Sequence, residues 1–162
     1  MNVTDLVTRI GAALRARERF LVTAESCTGG WVARELTAVP GCSHWFERGF
    51  VTYTNVSKQE MLGVRPQTLE TYGAVSEPTV REMAEGALRH SHAQVAIAIS
   101  GVAGPGGGSA DKPVGTVWLA WAGTWFTTIV RHELFSGDRE AVRRQAVVTA
   151  LEQLLELVGG DR

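Results

Sequence analysis

The chain has 162 residues and a formal net charge of −1, and 44% of its residues are hydrophobic and 20% are charged. This length suits a single domain, predicted over residues 1–162, and the two fractions are ordinary for a globular protein with a sizeable core. The near-zero net charge excludes the electrostatic footprint of a protein that binds nucleic acid or an anionic membrane surface.

Cysteine content and apolar runs indicate the compartment. Cys27 and Cys42 are too few for a disulfide framework, and the N-terminus lacks the apolar stretch of a signal peptide. No apolar run approaches the roughly 18 residues that a membrane span needs. We therefore expect a protein of the reduced cytoplasm that has no membrane segment.

Hydrophobic periodicity predicts helices and strands that alternate along the chain. In chain order we expect a helix over 1–19, a strand over 20–24, a helix over 29–39, a strand over 46–54, a helix over 55–62, a helix over 77–90, a strand over 94–99, two strands over 114–121 and 125–135, and a helix over 138–158. Thr4 and Ser76 are the predicted N-caps of the first and fourth helices. The tight turn at 122–124 makes the last two strands a hairpin.

This β-α-β-α-β order predicts an α/β protein, a three-layer α/β/α sandwich around a mainly parallel, mixed sheet of about five strands. The hairpin makes one strand antiparallel to the others. Crossovers between parallel strands are right-handed, so the first three strands run the same way and their carboxyl ends share one edge. Ligands bind at that edge in open α/β sheets, and the ends of these strands carry Ser26, then Tyr53 with Lys58, then Ser100.

Lysine is scarce in the sequence, which has two lysines and fourteen arginines. Arginine cannot lose its proton in a protein whereas lysine can, so a chain that uses arginine for surface charge can keep lysine for acid–base chemistry. The leading hypothesis is a hydrolase in which Lys58 activates Ser26. The alternatives are a solvated helix lysine for Lys58 and a helix-capping role for Ser26 or Thr28, which stand where a strand turns into a helix.

Two glycine-containing segments follow the first and third strands of the predicted sheet. Unpaired backbone N–H groups in such turns can hold an oxyanion or a phosphate, and glycine lets the backbone approach a ligand closely. The candidate substrate-binding residues of these segments are Cys27, Thr28, Gly29, Gly30, Ser100, Gly101, Gly104 and Gly106. For the second segment, a flexible surface loop is the alternative.

Tyr53 and Arg143 are further candidates with plainer alternatives. The Tyr53 hydroxyl could relay a proton to a leaving group, although a half-buried strand tyrosine with a solvated tip has the same pattern. Arg143 could clamp a phosphate, although the start of the last helix is also a typical solvated face. The four histidines lack the spacing of a metal site, and no metal is predicted.

These motifs together resemble the CinA C-terminal domain family, and within it the stand-alone nicotinamide-nucleotide amidohydrolases. The blocks that carry the resemblance run from Thr23 to Gly30, from Gly49 to Lys58, from Gly73 to Ser76, from Ser100 to Gly107, from Lys112 to Val117 and from Gly137 to Arg139. At 53–55 the sequence has Tyr-Thr-Asn where the family usually has Tyr-Ser-Asn, and the spacing to Lys58 is kept.

The resemblance implies hydrolysis of the carboxamide of nicotinamide mononucleotide to nicotinate mononucleotide and ammonia, with no metal or cofactor. It implies that Ser26 and Lys58 act together with Tyr53, and the ribose phosphate is then expected at the loop amides or Arg143. A non-catalytic module that binds a nucleotide or a partner, and a serine amidase acting on another small amide, remain open.

Related proteins also suggest a homodimer. The surface expected for it is an exposed aromatic face of the hairpin, formed by Trp118, Trp121, Trp125 and Phe126. The alternative is that these aromatic residues belong to the core.

Overall fold

The computed structural model describes residues 1–160. Its helices and strands are, in chain order, α1 (Val3–Ala16), β1 (Leu21–Glu25), α2 (Trp31–Thr37), β2 (Phe46–Val51), α3 (Asn55–Leu62), α4 (Pro66–Tyr72), α5 (Glu77–Arg89), β3 (Val95–Gly101), β4 (Thr116–Gly123), β5 (Phe126–Leu134) and α6 (Arg139–Gly159). A 3-10 turn, Cys42–His44, precedes β2. Within this described part of the chain, every helix is too short or too polar to cross a membrane.

The five strands form one mixed sheet in the order β2-β1-β3-β4-β5. Strand β1 pairs in parallel with β2 and β3, and β4 runs antiparallel to both of its neighbours. The predicted α/β class and the mainly parallel sheet with one antiparallel strand are confirmed. Glu25 is in register with both Val51 and Ile99, so the carboxyl ends of the three parallel strands lie together at one edge.

Helices α1, α2 and α6 cover one face of the sheet. Alternate strand residues such as Leu21, Ile97 and Leu119 point to this face and pack with apolar side chains of the three helices. Trp121 shares the face and is fully buried, and its indole Nε1 donates a hydrogen bond to the Ala150 carbonyl of α6 at 3.0 Å. This side holds the larger part of the core.

Helix α5, together with α3 and α4, covers the opposite face. The sheet residues on this side are mostly alanines, which let α5 approach the strands closely. They are Ala24, Ala96, Ala98, Ala120 and Ala122. On the helix side, Val80 and Met83 fill the remaining space and are fully buried. The alternation of large and small residues along β3 therefore fixes which helix packs on which face.

The prediction that the hairpin has an exposed aromatic face is wrong for Trp121. Strand β4 lies inside the sheet between β3 and β5, so its alternate residues are covered by helices on both sides. Trp118, Trp125 and Phe126 are half-buried. The alternative interpretation, in which the aromatic residues belong to the core, holds for Trp121.

Several element boundaries differ from the predicted ones. Asn2 rather than Thr4 caps α1, because its side-chain oxygen accepts a hydrogen bond from the Asp5 amide at 2.8 Å. Strand β2 ends at Val51, since Thr54 is already used as the N-cap of α3. The sequence patterns also missed α4, a helix of 7 residues with no side-chain cap. The predicted cap Ser76 is confirmed for α5.

Candidate active site

The carboxyl ends of β1, β2 and β3 bring together segments that are far apart in the sequence. Directly after β1, the Ser26 amide donates a hydrogen bond to the Ile99 carbonyl of β3 at 3.0 Å. Directly after β2, the Thr52 amide donates to the Glu25 carbonyl at 2.8 Å. These two bonds extend the parallel pairing by one step and hold Ser26 and Thr52 at the same edge of the sheet.

Lys58 lies beside Ser26 in the interior. Its Nζ atom is 3.1 Å from Ser26 Oγ, 3.0 Å from the Thr52 carbonyl oxygen and 3.2 Å from the Tyr53 carbonyl oxygen. Lys58 is 1% exposed and Ser26 is 8% exposed. Because burial disfavours the charged form, it lowers the pKa of the Lys58 ammonium below the usual lysine range. The alternative of a solvated helix lysine is thereby excluded.

The local sequence explains how α3 delivers this lysine. Thr54 and Ser57 form a reciprocal capping box, in which the Thr54 hydroxyl accepts from the Ser57 amide and Ser57 Oγ accepts from the Thr54 amide, both at 3.1 Å. The cap fixes the start of α3 directly after β2. Side chains in a helix lean toward its N-terminus, so Lys58 in the first turn reaches back to the strand ends.

Glu25 organises the turn between Ser26 and α2. This carboxylate is 1% exposed; its Oε1 accepts from the Thr28 hydroxyl at 2.6 Å and from the Val32 amide at 2.9 Å, and its Oε2 accepts from the Ala33 amide at 3.1 Å. The N-cap position of α2 is Gly30, which has a φ of 102° and no side chain to cap with. Glu25 therefore caps α2 from the neighbouring strand, a role that the sequence had left to Ser26 or Thr28.

Three backbone amides in this turn find no acceptor among residues 1–160. They are those of Cys27, Thr28 and Gly30, whereas the Gly29 amide donates to the Ser26 carbonyl at 3.0 Å. The Cys27 side chain is buried, and burial raises the pKa of its thiol to about 11. The thiol is therefore protonated near neutral pH.

Tyr53 occupies a different environment from Lys58, although only five positions separate them. Its side chain is 56% exposed, and its hydroxyl oxygen accepts a hydrogen bond from Arg139 Nη2 at 2.9 Å. Arg139 Nη1 donates in addition to the Gly104 carbonyl at 2.8 Å. The first turn of α6 thus joins the tyrosine to the glycine-rich loop, a link that the sequence analysis did not anticipate.

The glycine-rich loop supplies the opposite wall of the site. Gly101 and Gly104 are at least half-buried and Gly106 is exposed; Gly104 has a φ of 85°, which favours glycine. Ser100 is turned away, since its hydroxyl donates to the Ala74 carbonyl at 2.8 Å. At the far end of the loop, Lys112 Nζ donates to the Tyr72 carbonyl at 2.6 Å. The loop is thus tied to α4 as well as to α6.

Two cavities adjoin these residues. The smaller one, about 290 Å³, is lined by Cys27, Tyr53, Arg139 and residues of the glycine-rich loop. The larger one, about 750 Å³, extends from Arg139 to Arg143 and Trp31. Arg139 borders both cavities, so they are adjacent parts of one cleft at the edge of the sheet. The cleft is large enough for a small nucleotide.

Arg143 uses two of its nitrogens on the protein itself. Its Nε donates to the Cys27 carbonyl at 3.0 Å, and its Nη2 donates to the Thr28 carbonyl at 3.2 Å. Arg143 also lines the larger cavity. As for metal ions, residues 1–160 contain no cluster of three or more histidine, cysteine or carboxylate side chains that could hold one.

A model of the CinA C-terminal domain matches residues 3–158. The chain belongs to the CinA C-terminal domain family. Among its family relatives, the nicotinamide-nucleotide amidohydrolase PncC of Escherichia coli strain K12 is 58% identical over 153 residues, which cover 94% of this chain and 93% of that protein. The Pseudomonas putida protein of the same name is 52% identical and covers 96% of both chains.

Solved structures of the CinA family share the fold. The competence damage-inducible protein A of Klebsiella pneumoniae superposes with a TM-score of 0.95 at 41% identity and covers 100% of both chains. The competence/damage inducible protein CihA of Agrobacterium tumefaciens gives a TM-score of 0.93 at 46% identity, with 96% of this chain and 94% of that chain covered. The resemblance recognised from the sequence motifs is thereby confirmed.

Sequence reasoning missed Glu25, Thr52 and Arg139 as parts of the site. A signal existed for Glu25, because a carboxylate at the end of an otherwise apolar strand must find donors when it is buried. Thr52 contributes only its backbone carbonyl, so its side chain carries no signal. Arg139 belongs to a noted motif, but its contact with Tyr53 joins residues 86 positions apart.

Proposed function

We propose that this chain hydrolyses the carboxamide of nicotinamide mononucleotide to nicotinate mononucleotide and ammonia. The observation that carries the proposal is the 3.1 Å contact between Lys58 Nζ and Ser26 Oγ, made by a lysine whose burial lowers its pKa. The names of the Escherichia coli and Pseudomonas putida relatives support the substrate. The unpaired amides beside Ser26 suit an acyl-transfer reaction.

The lysine environment suits a general base. A neutral amine has two N–H bonds and one lone pair, and the Thr52 and Tyr53 carbonyls lie at 3.0 and 3.2 Å to accept the two N–H bonds. The lone pair is then directed at Ser26 Oγ. When Lys58 takes the serine proton, its third N–H points back at the same oxygen. The two carbonyls therefore stabilise the amine in the orientation that proton transfer needs.

The reaction then proceeds in two balanced stages. In the first, Ser26 Oγ bonds to the amide carbon while its proton moves to Lys58, and the tetrahedral oxyanion is held by backbone N–H groups. Lys58 or the Tyr53 hydroxyl returns a proton to the departing nitrogen, which leaves as ammonia. In the second, water attacks the acyl-enzyme and gives a proton to Lys58, which passes it to Ser26 Oγ as the ester bond breaks. The acid product then loses its remaining proton to solvent and leaves as the carboxylate.

We assign the oxyanion to the Cys27 and Thr28 amides and the mononucleotide to the cleft beyond them. The smaller cavity would hold the nicotinamide ring between Tyr53 and the glycine-rich loop. The ribose phosphate would lie in the larger cavity, where Arg139 and Arg143 supply positive charge. Backbone contacts to the substrate would come from Gly29, Gly30, Gly101, Gly104 and Gly106. Ser100 would position the glycine-rich loop through its hydrogen bond to the Ala74 carbonyl.

We further propose that the protein works in the cytoplasm and forms a homodimer. Val51 and Val56 are exposed apolar side chains, 48% and 59% exposed. Such a surface is suited to self-association. Light scattering during size-exclusion chromatography would give the mass in solution, and a mass near the 17.5 kDa of one chain would contradict the dimer.

The activity is tested by ammonia release from purified protein incubated with nicotinamide mononucleotide and a chelator. We expect release from the wild type and none from Ser26→Ala, because that variant lacks the nucleophile. Substrate binding without ammonia release by the wild type would favour the non-catalytic module. Equal turnover of free nicotinamide would favour a general amidase, and release that stops with chelator would contradict the metal-free mechanism.

A further inference from the structure

The peptide between Cys27 and Thr28 is held from one side by a guanidinium. Arg143 Nε donates to the Cys27 carbonyl at 3.0 Å, and Arg143 Nη2 donates to the Thr28 carbonyl at 3.2 Å. A planar trans peptide carries its C=O and N–H on opposite sides, so an acceptor fixed on one side directs the donor to the other. The N–H that shares a peptide plane with the Cys27 carbonyl is that of Thr28.

The Thr28 amide is therefore directed away from Arg143 and is unpaired within residues 1–160. The next peptide differs, because the Gly29 amide, which shares a plane with the Thr28 carbonyl, is used by the Ser26 carbonyl at 3.0 Å. Of the two amides that Arg143 orients through their carbonyls, only that of Thr28, a fully buried residue, lacks an acceptor within residues 1–160.

Glu25 fixes the same residue from the other side. Its Oε1 accepts the Thr28 hydroxyl proton at 2.6 Å, and its two oxygens also accept the Val32 and Ala33 amides at 2.9 and 3.1 Å. Thr28 is thus bound through its hydroxyl by a buried carboxylate and through its carbonyl by a guanidinium. A donor held in this way needs no reorganisation when negative charge develops on a substrate oxygen.

The Arg143 guanidinium is itself held in position. Its guanidinium lies over the Trp31 ring at 5.4 Å from the ring centroid, which limits its freedom. The next residue, Arg144, also lies over the Trp31 ring, at 5.9 Å from the centroid, but its Nη2 pairs with the exposed Glu140 at 3.1 Å. Two adjacent arginines on one helix therefore have separate roles, and the second one offers a matched control.

We propose that Arg143 is a positioning residue that orients the Thr28 N–H as an oxyanion donor for acyl transfer at Ser26. The proposal rests on the amidohydrolase function and assigns Arg143 a role in turnover besides any contact with the phosphate. A phosphate contact alone would strengthen substrate binding equally in the ground state and the transition state. An oriented oxyanion donor acts on kcat.

The test measures kcat and KM for nicotinamide mononucleotide in the wild type, Arg143→Ala, Arg143→Lys and the control Arg144→Gln. Removing one oxyanion donor lowers kcat by roughly 100- to 1000-fold, and a misdirected donor should approach the lower figure. We expect a loss of about 100-fold in Arg143→Ala, a smaller loss in Arg143→Lys, which can satisfy one carbonyl, and less than about threefold in Arg144→Gln. Added guanidinium chloride at millimolar concentration should restore part of the kcat of Arg143→Ala.

The outcomes distinguish a failure of the positioning role of Arg143 from a failure of the amidohydrolase function. Ammonia release by the wild type with a raised KM and an unchanged kcat in both Arg143 variants would overturn the positioning role and leave a phosphate contact. An unchanged kcat and KM would overturn it as well. No release by the wild type would overturn the amidohydrolase function itself, and the inference with it. Arg143→Lys keeps the test decisive if Arg143→Ala does not fold.

Discussion

Lys58 and Tyr53 are five positions apart in the sequence, and their side chains are held in contrasting ways. Lys58 is 1% exposed and meets three oxygen acceptors, two of which are backbone carbonyls that cannot move independently of the strand end. Tyr53 is 56% exposed and is held by a single arginine from α6. The proposed base, Lys58, therefore lies in the core, whereas Tyr53 lies where a substrate can reach it.

The contrast separates a proton acceptor that depends on burial from a proton donor that depends on exposure. The pKa of Lys58 is lowered by its removal from water, which the interior provides. A hydroxyl that meets a leaving group must instead be open to the cleft. The tyrosine consequently depends on Arg139 and the glycine-rich loop for its position, and its contribution should be smaller and more sensitive to changes in α6.

The largest effect is expected from Lys58→Arg, which keeps the positive charge and removes the ability to lose a proton. We expect kcat to fall by about 1000-fold, within the range for loss of a general base. Steady-state ammonia release checks this, and Arg81→Gln, which removes an exposed charge on α5, serves as the matched control. Retention of more than a tenth of the wild-type kcat would contradict the role of Lys58 as a base.

A second test of the buried side is the pH profile. Because burial lowers the Lys58 pKa, the neutral amine is reached at a lower pH than for a free lysine. We expect kcat/KM to rise by about tenfold per pH unit below this pKa and to level off above it. The rise should disappear in Lys58→Arg, and a profile that kept the same rising limb in this variant would assign it to another group.

The lowered pKa of Lys58 also affects the stability of the fold. The unfolded lysine titrates near 10.4 and the folded one lower, so the unfolded state binds more protons between the two pKa values. The Lys58 contribution to the free energy of unfolding therefore rises with pH across that window. Urea unfolding of the wild type and of Lys58→Met at several pH values should show a smaller slope in the variant. Equal slopes in the two proteins would mean that folding does not lower the pKa of the Lys58 amine in solution.

The smallest effect is expected on the exposed side. Tyr53→Phe should lower kcat by about 10- to 100-fold, because Lys58 can still supply a proton to the leaving nitrogen. Arg139→Gln should cause a similar loss, since the arginine acts on the hydroxyl. In a double-mutant cycle the two losses should not add, because residues in one hydrogen-bonding network are coupled. Fully additive losses would show that Arg139 acts elsewhere, on the substrate phosphate for example.

The sequence predicted the buried side better than the exposed side. Strand ends, a capped helix and a rare lysine are local signals, and they placed Lys58 next to Ser26. The position of Tyr53 depends on Arg139 and Gly104, whose contacts form only after α6 has folded against the loop. Glu25 was missed for a related reason, because its acceptor role depends on the path of the turn that follows. Helix α4 escaped notice because only Thr68 and Leu69 of its 7 residues are buried.

The two lysines also have a practical consequence for chemical labelling. Lys58 is enclosed, so an amine-reactive dye or surface linker cannot reach it in the folded protein. Lys112 is half-buried and sits at the end of the glycine-rich loop, on the side of α4. With the remaining positive side chains provided by arginine, amine chemistry is directed to the α-amine and Lys112. A fluorophore or a tether can thus be attached at defined points while the reactive amine in the interior stays unmodified.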